Sequence, residues 1–154
     1  MASNDSPGVK IPPPLIYLAG FLLGYVLERP FPARLAPANW SRGMAIVCFC
    51  AGVVLIVDFL LRFRRAGTTI NPSGPATSLV TGGSFRYSRN PGYLGWAVLY
   101  LGAMFWLNSL WPLALLPLVI FAVQGYAIHR EERYLETKFG DEYRNYKARV
   151  RRWL

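Results

Sequence analysis

Apolar residues in this chain come in long unbroken blocks, without the one-face periodicity that a soluble helix shows. Four blocks read as membrane-spanning helices, at about 13–28, 43–61, 92–107 and 110–128. The first opens on Pro12, Pro13 and Pro14, tolerated in a first helical turn because the missing N–H would find no partner there. Counting those prolines brings it close to the ~20 residues a span needs. The second is followed at once by Arg62-Phe63-Arg64-Arg65. Asn108-Ser109 leaves room only for a tight hairpin, so the third and fourth blocks are antiparallel neighbours. Beyond residue 128 the pattern changes. Tyr134, Leu135 and Phe139 recur at helical spacing, Gly140-Asp141 breaks the pattern, and Tyr143, Tyr146 and Val150 form a second stripe. Residues 129–152 therefore predict two amphipathic helices lying on the headgroups. The expected fold is an all-α integral membrane protein: one domain over residues 1–154, about four transmembrane helices, and a C-terminal amphipathic helical segment.

Composition agrees, with 53% hydrophobic and only 16% charged residues in 154. The net charge of +9 would suggest nucleic acid in a soluble domain. Here the basic residues flank apolar blocks and no groove-reading motif is present, so anionic headgroups explain them and nucleic acid is not an expected partner. With a cytoplasmic N-terminus, Lys10, the five arginines of residues 62–91 and the eight basic residues from Arg130 onward share one side. Only Arg29, Arg34 and Arg42 fall outside, so both termini are expected to be cytoplasmic. Compact size and short loops point to a bacterial or archaeal membrane. The N-terminus lacks the arrangement of a cleaved signal peptide.

Several features read as structural. Cys48 and Cys50 are two apart and would face different sides of a helix, which suits neither a disulfide nor a metal pair. His129 is the only histidine, and no metal site is expected. Gly20 and Gly24 form a GxxxG that allows close helix packing, within the chain or between copies. Asp58 has Arg62 one turn away as its partner. No GxGxxG, phosphate-cradling loop or Ser/His/Asp set appears. What remains is the polar stretch Thr77 to Gly95 at the start of the third span, and Arg130-Glu131-Glu132 after the fourth. The hairpin brings the two together.

"LVTGGSFRYSRNPGYLGW" followed by "EERYLETKFGDEYRNYKARV" resembles the isoprenylcysteine carboxyl methyltransferase family, integral-membrane enzymes related to phospholipid methyltransferases. The resemblance covers roughly residues 68–152 and implies methyl transfer from S-adenosylmethionine to a lipophilic or lipid-modified acceptor. Carried over by position, it implies that Thr77, Ser78, Leu79 and Val80 wrap the cofactor through backbone groups, with Phe85 as an aromatic wall. Asn90, Pro91, Gly92 and Tyr93 stand where the family has His-Pro-x-Tyr, and Glu131 matches its acidic cofactor ligand. Glu131, Glu132 and Arg130 are the implied catalytic group. A sulfonium-bearing zwitterion suits a carboxylate, a π-face and fixed backbone donors. Two positions depart from the pattern: Asn90 replaces a histidine, and Ala127 stands where the family holds its substrate with an arginine. Methyl acceptor and oligomeric state stay open. Alternatives are a phospholipid N-methyltransferase, a sterol-reductase-like enzyme using NADPH, and a non-catalytic protein that docks a partner or anionic lipid.

Overall fold

The computed structural model describes residues 6–70 and 74–154, and these are all-helical. Six α-helices follow in order: α1 (Pro13–Glu28), α2 (Ala38–Arg65), α3 (Pro91–Leu107), α4 (Leu110–Val123), α5 (His129–Phe139) and α6 (Asp141–Arg149). A 3-10 turn, Gly83–Arg86, precedes α3, and a π turn, Gln124–Ile128, joins α4 to α5.

Among the described residues two helices are long and apolar enough to cross a membrane: α2, and the continuous run Leu110–Phe139, whose apolar part ends at Ile128. The helices α1 and α3 are shorter apolar helices. Only 11% of the most apolar stretch of α2 is buried, whereas the core helix of a soluble protein would be mostly covered. Val54, Leu118 and Phe121 stand exposed, and exposed apolar surface on this scale fits a lipid surround.

Small residues set the packing. The helix α2 lies along α3, where a Cβ on Gly95 would meet Ile56 at 2.8 Å and one on Gly52 would meet Leu99 at 2.7 Å. The helix α1 packs on α4, with Gly24 against Pro112 and Gly20 against Val119. The GxxxG thus serves packing within the chain. Tyr17, Tyr100, Leu116, Val119 and Val123 form the core where α1, α3 and α4 meet. The Tyr100 hydroxyl donates to the Pro112 carbonyl at 2.8 Å.

The hairpin forms as its residues predict. Asn108 takes the left-handed conformation that asparagine tolerates at a helix C-terminus (φ 53°), and Ser109 caps α4 by accepting from the Trp111 N–H. Gly140 also breaks the chain as expected, at positive φ.

Three expectations change. The helix α2 runs beyond 43–61 at both ends. The helix that holds the fourth apolar block continues past Ile128 into the polar helix, because the π turn carries it on without a break. The C-terminal helix pair does not turn its stripe to the headgroups. Tyr143 and Tyr146 are buried against Phe85, with Leu135, Phe139 and Val150 packed around them, because a nearer apolar surface exists inside the molecule.

Candidate functional site

The polar stretch before α3 is shaped by α2. Asp58 accepts from Arg62 Nε at 3.1 Å, the expected pair, and from the Ser84 N–H at 2.9 Å, which pins the 3-10 turn. Gly83 has φ +63°, which favours glycine, and the Arg62 guanidinium lies against it in the space a Cβ would take. The turn buries Phe85 against Phe59 and Phe63, and the Tyr146 hydroxyl donates to its carbonyl at 2.7 Å. Pro91 then opens α3 at its first position.

These elements and the start of α5 enclose a cavity of about 340 Å³, with mostly apolar walls. That volume lies within the roughly 300–1,000 Å³ of small-molecule and cofactor sites. Glu131 reaches it from α5 and Tyr93 from α3, and the Tyr93 hydroxyl donates to Glu131 Oε1 at 2.5 Å. Among the described residues this is the one side-chain partner of the Glu131 carboxylate. Burial pushes that carboxyl up to about 7, and the charge of Glu132 adds to the rise against the opposing hydrogen bond from Tyr93.

Glu132 is held differently. It is 6% exposed, and its carboxylate sits between Arg89 Nη2 at 3.1 Å and Arg152, which donates from Nε at 3.0 Å and Nη2 at 2.7 Å. Two adjacent glutamates therefore have opposite circumstances: one faces an open cavity, the other is saturated by two arginines.

Of the residues proposed from sequence, Ser78, Leu79, Val80, Phe85, Asn90, Pro91, Gly92, Tyr93, Glu131 and Glu132 all border this one cavity. Thr77 does not. It is exposed, its N–H donates to Thr68 Oγ1 and its hydroxyl to the Gly67 carbonyl, tying the loop to the end of α2. Arg130 is also turned away, with Nη1 on the Gly8 carbonyl at 3.3 Å and its guanidinium over the Tyr126 ring. The Asn90 amide donates to the Arg152 carbonyl at 3.0 Å. Gly92 faces Phe59, with 3.2 Å available to a Cβ, so it admits α2. Ala127 is fully buried in the π turn and does not border the cavity.

Sequence reasoning missed Arg89, Arg152 and the prolines at the N-terminal side. Pro7 and Pro12–Pro14 form one wall of the cavity. That segment is clasped by the Tyr126 hydroxyl, which accepts from the N–H groups of Lys10 at 3.0 Å and Ile11 at 2.7 Å. No local spacing signals such distant contacts.

The profile of the phospholipid methyltransferase family matches residues 40–142, more than half of the chain. An uncharacterized protein of Haemophilus influenzae is 48% identical over 64 residues, covering 40% of this chain and 98% of that protein. A protein-S-isoprenylcysteine O-methyltransferase of Schizosaccharomyces pombe is 36% identical over 72 residues, covering 47% of this chain and 30% of that enzyme. No solved structure matches. The chain belongs to the phospholipid methyltransferase family.

Proposed function

We propose that this member of the phospholipid methyltransferase family transfers a methyl group from S-adenosylmethionine to a lipophilic acceptor at the Glu131–Tyr93 cavity. The observation that carries this reading is the convergence of two motifs, 38 residues apart at Tyr93 and Glu131, on one largely apolar pocket with an unsaturated carboxylate. We place four spans at 13–28, 43–61, 92–107 and 110–128, with both termini and the cavity on the cytoplasmic side. The basic residues concentrated on that face support the placement.

The residues fit the cofactor. S-adenosylmethionine, when bound, supplies an electrophilic methyl group on a positively charged sulfur. Glu131 would pair with the cofactor's α-ammonium group, which S-adenosylhomocysteine also carries, oriented by the Tyr93 hydroxyl. Phe85 offers a ring face, and Leu79 and Val80 offer backbone groups. Transfer from a sulfonium is an in-line displacement, so alignment and the exclusion of water by these apolar walls carry most of the catalysis.

Charge narrows the acceptor. Arg89 is the cation that lines the cavity among the described residues; its Nη2 is on Glu132, and its Nε and Nη1, which have no hydrogen-bond partner, are closed off from the cavity surface. Arg133 points to the His129 carbonyl. With no guanidinium exposed in the cavity to clamp a carboxylate, an amphiphilic amine suits the site better, and its proton leaves to solvent before transfer because Glu131 is committed to the cofactor. Methyl incorporation into an isoprenylcysteine carboxylate and none into an ethanolamine headgroup would reverse this acceptor reading.

Calorimetry on detergent-purified protein tests the cofactor site. S-adenosylhomocysteine should bind the wild type, and Glu131→Gln should weaken it roughly 10- to 100-fold, as expected for loss of a charge-assisted hydrogen bond. No heat of binding with the folded wild type would sink the reading.

A further inference from the structure

We infer that Arg152 is a positioning residue for the cofactor site, a staple that fixes the start of α3 relative to the start of α5. The inference rests on the methyltransferase reading and adds a residue outside the cavity to it.

The backbone supplies one half of the staple. The Arg152 carbonyl accepts from Asn90 Nδ2 at 3.0 Å and from Ser88 Oγ at 3.3 Å, while the neighbouring Arg151 carbonyl accepts from the Arg89 N–H at 2.9 Å. Ser88 Oγ in turn accepts from the Asn90 N–H, so the whole Ser88-Arg89-Asn90 turn is moored to this segment. The side chain supplies the other half, two parallel hydrogen bonds to Glu132. Bidentate guanidinium–carboxylate pairs fix geometry as well as charge. Trp153 anchors the segment further, with Nε1 donating to Gln124 Oε1 at 3.1 Å and its ring packed on the α1–α3–α4 core.

The consequence lies within one turn on each helix. Asn90 precedes α3 by one residue and Tyr93 is on its first turn, while Glu132 adjoins Glu131. Holding Asn90 and Glu132 through one residue therefore sets the separation of Tyr93 from Glu131. Asn90 makes no side-chain cap for α3; its Nδ2 is turned instead to the Arg152 carbonyl.

The test uses the full chain in detergent, with S-adenosylhomocysteine calorimetry and ligand-free thermal unfolding on Arg152→Ala, Arg152→Lys, Glu131→Gln and the double variant R152A/E131Q. Arg152→Ala should lower affinity roughly tenfold or more. In the Glu131→Gln background it should cost little further, because Arg152 acts through the Tyr93–Glu131 pair. Lysine keeps a charge beside Glu132 but cannot give the parallel pair, so Arg152→Lys should fold and still bind weakly. If R152A does not fold, R152K decides the matter. Wild-type affinity in Arg152→Lys, or fully additive losses in the double variant, would overturn the inference while Glu131→Gln alone still upholds the cofactor site. A wild type that binds nothing overturns both.

Discussion

The two ends of the helix bundle each hold a half-hidden carboxylate, and they use it in opposite ways. At the hairpin end, Glu28 accepts from the Ser109 hydroxyl at 2.6 Å and the Ala33 N–H at 3.1 Å. Beside it the Asn108 side chain bonds both backbone groups of Ala36, at 3.1 and 2.9 Å. Both Glu28 oxygens and the Asn108 amide have partners there, and the result is a knot that ties the 29–37 loop to the hairpin. At the other end Glu131 has, among the described residues, Tyr93 as its one side-chain partner and faces a cavity. A saturated carboxylate stabilises; an unsaturated one beside an apolar cavity is available to a ligand. The same contrast recurs within the second end, between Glu131 and Glu132.

The comparison can be broken at its most closed point near the site. Ala127→Arg restores the family's arginine by identity but places it in a fully buried position, so detergent unfolding should show a loss of about 3 kcal/mol or more without acquired affinity for carboxylate acceptors. A stable variant that gains such affinity would contradict the packing. Ser109→Ala should remove the cap of α4 and one partner of Glu28, lowering stability by about 1–2 kcal/mol. Calorimetry should find its S-adenosylhomocysteine affinity unchanged, which separates the knot from the site.

The smallest effect is in pH. A cationic ligand needs Glu131 ionised, and its carboxyl lies near 7, so affinity should fall about threefold between about pH 7.5 and about pH 6.5. Ligand-free stability moves the other way. A carboxyl raised from 4.5 to about 7 favours the protonated folded state, so its contribution is lost as pH rises across that window. Glu131→Gln should flatten both profiles, and an unchanged slope would assign the titration to another group.

What was legible in the sequence was what local spacing controls. The Asp58–Arg62 pair is one helical turn long, the hairpin needs two residues, and Gly140 acts on its own backbone. The gathering of Tyr93 and Glu131 was also legible, because two helices joined by two residues must run side by side. The Arg152 contacts cross 62 residues to Asn90 and the Tyr126 clasp crosses 115 to Ile11, distances over which no periodicity carries information. The amphipathic stripe of α6 was correctly found and wrongly docked. A stripe states that a face is apolar, not whether lipid or Phe85 will cover it.

The π turn at Gln124–Ile128 sets the rotational phase of everything after it. A π turn accommodates one residue more than an α turn, and each helical residue advances the side chains by about 100°. The helix that carries Glu131 is therefore dialled by a single residue's worth of rotation relative to the helix that leaves the hairpin. With α winding there instead, the same sequence would present Arg130, one residue earlier, where Glu131 now stands. The identity of the acidic group in the cavity is thus written in the winding of the backbone upstream as much as in the residue itself.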